Sequence, residues 1–137
     1  MKSIGNVYYS GEGAEQDYAE AMEWYEKAAD LGDSYAMYYI AYMYQFGQGA
    51  EQDMVKAMEW YEKSADSGYD IAMMDLGTLY FMTQSYAKAL GWYEKAADLG
   101  NADAINFIAD MYKYGYGVAR NSEKEQEWRD KAGAAGE

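Results

Sequence analysis

Residues 57–68 read AMEWYEKSADSG, and near copies of this stretch begin at Ala21, Ala89 and Glu125. Each copy carries one tryptophan; these stand at positions 24, 60, 92 and 128, so their separations are 36, 32 and 36 residues. A period of this size predicts stacked supersecondary units rather than one globular core. Apolar residues within the stretch recur at helical spacing, so each copy is predicted to form a helix with one packed face.

A second helical segment precedes each copy. In repeat two we predict helix A from about Asp33 to Phe46, a Gly-x-Gly turn beginning at Gly47, and helix B from Asp53, which acts as its cap. Repeat one starts part-way along its helix A, and repeat three is shorter and has no Gly-x-Gly turn. The spacing predicts eight helices, no strand and one repeat array over residues 1–137, divided into 1–32, 33–68, 69–100 and 101–137.

The composition excludes several kinds of site. The chain has no cysteine and no histidine, which removes disulfides, Cys/His zinc sites and catalysis that depends on histidine. We expect no cofactor, no metal and no enzymatic activity. The formal charge of -13 disfavours nucleic acid and anionic membranes as partners. With no signal-peptide pattern, we expect a cytoplasmic protein, or a periplasmic or secreted one if an N-terminal leader is removed.

A longer pattern joins the two helices of each repeat. Helix A reads Ala-x-x-x-(Leu/Ile)-(Gly/Ala)-x-x-Tyr-x-x-Gly-x-Gly, and helix B follows a capping Asp with Lys-Ala-x-x-Trp-Tyr-x-Lys-Ala-Ala-x-x-Gly. In repeat two this pattern is carried by Ala36, Ile40, Ala41, Tyr44, Gly47, Gly49, Asp53, Lys56, Ala57, Trp60, Tyr61, Lys63, Ala65 and Gly68. The pattern resembles the Sel-1-like repeat family, and repeat three looks closer to the related tetratricopeptide repeat. The resemblance implies an all-α, right-handed α-solenoid of antiparallel helix pairs that binds proteins or peptides and often scaffolds complexes.

Helix A of repeat two has an aromatic side that inter-helix packing does not explain. The packing positions share one arc, and Tyr35, Tyr38, Tyr42 and Phe46 share the opposite one. The resemblance implies that helix A lines the concave surface, so these residues and their counterparts are predicted to form a binding groove centred on repeats two and three. The alternative is that curvature packs these side chains against each other. The predicted binding residues are Tyr35, Tyr38, Tyr42, Phe46, Ile71, Met74, Thr78, Met82, Asn106, Asp110 and Tyr114.

Three classes of function remain open from the sequence. The first is a non-enzymatic module that holds a peptide or protein segment, with a partner rich in Lys or Arg favoured by the acidic flanks. The second is a glycan-binding module in which tyrosines stack on sugars while Asp103, Asn106 and Asp110 accept hydrogen bonds. The third is a hydrolase that uses two carboxylates, which the ordinary helical spacing of Asp103 and Asp110 disfavours. The Gly-x-Gly turns lack the Lys-Ser/Thr of a phosphate loop and are interpreted as turns.

The ends and the outer face of the array give three further predictions. Helix B of repeat four replaces the small residues and tyrosine of its edge with Glu125, Arg129 and Gly133, which we interpret as a polar terminal cap that leaves Arg129 exposed. The amino-terminal end has no such cap, so self-association there is possible. Glu-to-Lys pairs at i, i+4, such as Glu59 with Lys63, are predicted to lie on a solvated helix face.

Overall fold

The computed structural model describes residues 2–135, and all regular secondary structure within that range is α-helical. The predicted all-α class with eight helices is confirmed. Odd-numbered helices are helix A of a repeat and even-numbered helices are helix B. Their bounds are α1 (Lys2–Ser10), α2 (Tyr18–Asp30), α3 (Ser34–Phe46), α4 (Met54–Asp66), α5 (Asp70–Met82), α6 (Tyr86–Asp98), α7 (Ala102–Tyr114) and α8 (Ser122–Ala135).

The chain divides into two compact units, one running to Ala72 and the other starting at Met73. Each unit has a core of small and apolar side chains between its helix pairs. In the first unit, Tyr25 and Ile40 are among the fully buried residues of this core. In the second unit, Tyr93 and Ile108 are likewise among the fully buried residues of the core. Because alanines fill much of the first core, the helices approach closely around a few large side chains.

Side-chain caps set the start of most helices. The carboxylates of Asp17 and Asp53 accept hydrogen bonds from backbone N–H groups three residues on, at 3.1 and 3.0 Å. Asp33 caps α3 in the same way, so α3 and α4 each begin one residue after the predicted start. Asn121 caps α8, because its side chain accepts a hydrogen bond from the Lys124 N–H. Each such cap contributes about 1 kcal/mol to helix stability.

The Gly-x-Gly turns combine a left-handed residue with a close contact. Gly47 ends α3 with φ of 67° and donates its N–H to the carbonyl of Met43. The second glycine, Gly49, has φ of 72°, and a Cβ added there would lie 2.6 Å from the carbonyl oxygen of Tyr18. These contacts explain both glycines as turn and packing residues. In repeat three, Gln84 takes the left-handed position with φ of 64°.

The lysines of the outer helix-B face are exposed, as predicted, and each also contacts an aromatic ring. In all four repeats the lysine three residues after the tryptophan lies over the indole ring, with its ammonium 4.1–4.3 Å from the ring centroid. The expected Glu-to-Lys pairs, such as Glu59 with Lys63, therefore give way to cation–π contacts. A cation–π contact contributes about 0.5–1 kcal/mol at exposed sites, which exceeds the roughly 0.2–0.5 kcal/mol of a surface helix pair.

Candidate functional site

One helix-B position links the two helices of each repeat and determines which helix-A side chains face outwards. In the first three repeats this position holds a tyrosine that is at most 1% exposed. Burial raises the pKa of Tyr25 and of Tyr93 above the usual tyrosine value. Each hydroxyl bonds to a polar helix-A side chain of the same repeat: Tyr25 donates to Asn6 at 2.6 Å, Tyr61 donates to Gln45 at 2.6 Å, and Tyr93 pairs with Thr78 at 3.0 Å.

Repeat four holds Arg129 at the same position. The Arg129 side chain is 31% exposed, so it is partly buried rather than exposed as predicted, although it still differs from the three buried tyrosines. Its guanidinium donates to Asp110, to Glu125 at 3.3 Å and to Asn106 at 3.4 Å. The hydrogen bond to Asp110 raises the pKa of Arg129. Two predicted binding residues, Asn106 and Asp110, are therefore engaged by the chain itself.

Repeat two differs because its helix-A position is aromatic. Asn6, Thr78 and Asp110 share one register on helix A, and each contacts the helix-B residue described above. Tyr42 stands at this register in repeat two, and Tyr61 bonds to Gln45 instead. The Tyr42 ring packs on Phe46, with centroids 4.6 Å apart. Both rings keep exposed area, and Phe46 is 54% exposed.

One side of α3 forms the α3 aromatic surface, defined as Tyr35, Tyr38, Tyr39, Tyr42 and Phe46, of which Tyr35 and Tyr39 also pack against the core of the first unit. Tyr39 was not predicted; its ring centroid lies 4.8 Å from that of Tyr35 and 5.4 Å from that of Tyr38. Burial is the main cause that raises the pKa of Tyr35. The rings thus pack against each other, as the alternative interpretation proposed, while four of the five are only partly buried and Phe46 is exposed.

The surroundings of this surface extend into repeat one and to the end of the first unit. Tyr9, a repeat-one counterpart, lies 5.3 Å from Tyr39 between ring centroids and donates its hydroxyl to Gln48 at 3.0 Å. Ile71, also predicted, is 44% exposed. Tyr69 lies 5.4 Å from Tyr38 between centroids. The structure therefore brings the predicted aromatic residues of α3 together with Tyr39 and Tyr69, which the sequence interpretation did not include.

In the second unit, a cavity of about 190 Å³ lies between helix A of repeat three and repeat four; we name it the α5–α7 pocket. Three of its residues, Thr78, Asp110 and Tyr114, were predicted. Sequence reasoning missed the others because it extrapolated from one helical arc, whereas Phe81 and Tyr116 lie at a helix end and in a turn. The complete lining is Thr78, Phe81, Tyr93, Phe107, Asp110, Met111, Tyr114 and Tyr116.

The remaining predicted residues do not join one cluster. Met74 packs against the core of the second unit, whereas Met82 is 72% exposed. The predicted groove spans helix A of repeats two and three, and these belong to different compact units. The groove as a whole therefore stays a prediction.

Two other kinds of site are a metal site and a membrane-spanning helix. Between residues 2 and 135, no group of three or more acidic side chains is placed to hold a metal ion. Over the same range, no helix is both long and apolar enough to cross a bilayer.

Comparison with known proteins identifies the repeat. The Sel1 repeat profile matches residues 3–33, 34–69, 70–101 and 102–136. A Sel1 repeat protein from Oxalobacter formigenes is similar in structure, with a TM-score of 0.90 and 30% identity over 99% of this chain and 57% of that one. A protective antigen present in uropathogenic Escherichia coli strains, which displays an SLR fold, gives a TM-score of 0.84 and 34% identity over 99% of this chain and 30% of that one.

The search of curated proteins found no match. The chain spans less than two thirds of the length of both similar structures. All four repeats, including the short third one, are matched by the same profile, and together they cover nearly the whole chain. Members of the matched family are generally protein–protein interaction modules and typically non-enzymatic scaffolds. The chain belongs to the Sel1 repeat family.

Proposed function

We propose that this chain is a non-enzymatic interaction module that binds a peptide or protein segment on the α3 aromatic surface. The observation that carries the proposal is the row of Tyr38, Tyr42 and Phe46, whose rings contact one another and keep exposed area. Tyrosine is enriched in protein interfaces because its ring buries a large apolar area and its hydroxyl still finds a polar partner. A cluster of this kind on a helix surface therefore favours recognition of another chain.

Ring packing also prepares the surface for binding. Tyr39 is surrounded by Tyr35, Tyr38 and Tyr42, at centroid distances of 4.8, 5.4 and 6.2 Å. Side chains that are already held by neighbours lose less rotamer freedom when a partner docks. The surface thus offers large contact area at a low entropic cost.

The charge of the first unit indicates the kind of partner. Residues 1–72 contain 14 acidic and 4 basic residues, so most of the net charge of -13 lies in the part of the chain that carries the aromatic surface. Opposite charge on a partner raises the association rate and disfavours acidic competitors. We therefore propose a segment with lysine or arginine residues as the ligand.

The glycan alternative has less support in the structure. Asn106 and Asp110, two of its three proposed sugar-binding residues, each accept a hydrogen bond from Arg129 through their Oδ1 atoms. A sugar hydroxyl would have to share these atoms with the guanidinium. Glycan binding is accordingly kept as an outcome of the test and not as a second proposal.

The test selects ligands from a displayed peptide library and from a glycan array, and measures binding by fluorescence anisotropy. Tyr42→Ala should weaken a selected peptide about tenfold or more, as truncation of a central aromatic contact does. Val55→Ala on α4, which alters a side chain that is 69% exposed in the same unit, is the matched control and should leave affinity unchanged. Sugar binding without peptide binding would overturn the proposal. So would peptide contacts on the outer face around Glu59 and Lys63.

A further inference from the structure

We propose that the α5–α7 pocket is a subsite for one lysine or arginine side chain of the partner, with the carboxylate of Asp110 as the counter-charge. The inference rests on the proposed function, because it takes up the lysine- or arginine-containing partner that the proposed function names. It adds a ligand class and a recognition residue in the second unit.

The size of the pocket limits its occupant to one side chain. Its volume of about 190 Å³ lies below the range of roughly 300–1,000 Å³ that is usual for small-molecule sites. Most of the lining is aromatic, and the cavity also includes Met111 and the hydroxyl of Thr78. An extended, slender side chain is the kind of group that such a cavity accepts.

Contacts between the rings fix the aromatic walls. Phe107 stacks on Tyr93 with centroids 5.3 Å apart and planes 11° apart. Phe81 meets Tyr116 edge-on at 5.0 Å, and Tyr116 lies 5.9 Å from Tyr114. The faces of such rings attract cations through their quadrupole.

A lysine of the chain itself shows that one of these rings attracts a cation. The Lys113 ammonium lies 5.2 Å from the centroid of Tyr114, and Lys113 is not among the lining residues. An ammonium from a partner would find the same kind of ring inside the pocket.

Asp110 supplies the polar end of the pocket. Arg129 holds Oδ1, whereas Oδ2 accepts no hydrogen bond from any described residue, and the side chain is 45% exposed. Arg129 also donates to Glu125, so one guanidinium is shared by two carboxylates. The local charge of these three groups is negative, and Arg129 acts as a positioning residue for Asp110.

The other polar groups of the pocket favour a cation over an apolar occupant. The hydroxyls of Thr78 and Tyr93 bond to each other at 3.0 Å. Asp110 is the lining side chain that carries a formal negative charge. A wholly apolar occupant would remove water from its carboxylate without supplying a donor, which costs free energy, whereas an ammonium or guanidinium supplies that donor.

The experiment follows backbone amide shifts of the full chain by NMR during titration with Nα-acetyl-lysine N-methylamide. The matched probe is the norleucine derivative, which lacks the ammonium group. We expect the lysine probe to shift amides around Phe107 and Asp110 and to bind at least about fivefold more tightly, a ratio that a cation–π contact supports. Asp110→Asn should lower the affinity of the lysine probe towards that of the norleucine probe, because the counter-charge is lost while the rings remain. The control Asp103→Asn changes an exposed carboxylate of α7 outside the pocket and should have no effect.

Equal or tighter binding of the norleucine probe overturns the subsite, as does an unchanged affinity in Asp110→Asn with circular dichroism showing a folded chain. The two proposals fail separately. A selected peptide that is weakened by Tyr42→Ala and unaffected by Asp110→Asn supports the proposed function and overturns the subsite. Lysine-probe binding at the pocket with no peptide selected by the chain supports the subsite and overturns the proposed function.

Discussion

Repeats two and four place different chemistry at the same two positions of one backbone pattern. In repeat two, Tyr61 is fully buried and bonds to Gln45, and the helix-A position holds the partly exposed Tyr42. In repeat four, the corresponding residues are the partly exposed Arg129 and its acceptor Asp110. Helix caps and glycine turns are nearly the same in both repeats. Caps and turns therefore set the backbone of each repeat, whereas the pairing between the two positions decides which side chains are exposed to solvent.

A substitution at the helix-B position, where repeats two and four differ, should have the largest effect on stability. Tyr61→Ala removes a fully buried ring and should lower the free energy of unfolding by about 3–5 kcal/mol, as truncation of a buried aromatic does. Arg129→Ala removes a partly exposed group whose ion pairs contribute about 0–1 kcal/mol, so its loss should be small. Denaturant unfolding of both variants measures the difference. Equal losses would mean that burial does not separate the two repeats.

A smaller effect should test the turn backbone that repeat two shares with repeat one. Gly49→Ala adds a Cβ 2.6 Å from the Tyr18 carbonyl, whereas in Gly13→Ala the nearest atom is a Val7 methyl at 3.9 Å. Both glycines have positive φ, so both variants carry a left-handed strain of about 1–2 kcal/mol. Gly49→Ala should cost about 1–3 kcal/mol more because of the clash. Thermal unfolding of the pair isolates this contact, and equal melting temperatures would contradict it.

The pH dependence of stability should also differ between a buried tyrosine and Arg129 at this position, and this effect is the smallest of the three. A tyrosine loses its proton near pH 10 when unfolded. Burial raises the pKa of Tyr25 and Tyr93 in the folded chain, so above pH 10 the unfolded state binds fewer protons than the native state. Stability should therefore be unaffected by these groups below pH 10 and fall above it, by at most about 1.4 kcal/mol per pH unit for each tyrosine. Arg129 contributes no such slope because it keeps its charge in this range.

Urea unfolding between pH 8 and 11 measures this dependence. Tyr93→Phe should flatten the alkaline slope, because it removes one of the buried groups that the native state keeps protonated. Val55→Ala changes a side chain that is 69% exposed and has no ionisable group, and it should keep the slope of the parent chain. A slope that is unchanged in Tyr93→Phe would contradict the assignment.

The helices could be predicted from the sequence because their signals are local. Trp spacing, capping residues such as Asp53 and the turn glycines each act within one repeat, and the helix starts of repeat two came out within one residue. The solvated outer face was predicted correctly, but the contact of each lysine with an indole ring was not, since an i, i+4 rule does not consider the ring that lies three residues before each lysine. Phe81 and Tyr116 of the pocket could not be found because they meet only after the helices pack.

The lysine over each indole has a consequence for spectroscopy. All four tryptophans carry an ammonium at nearly the same distance, 4.1–4.3 Å from the ring centroid, so their emission should be perturbed by similar local fields. Intrinsic fluorescence of the parent chain would then report an average over the repeats. Variants that keep one tryptophan and replace the other three with phenylalanine would give each repeat its own fluorescence probe. The order in which the repeats unfold could then be followed.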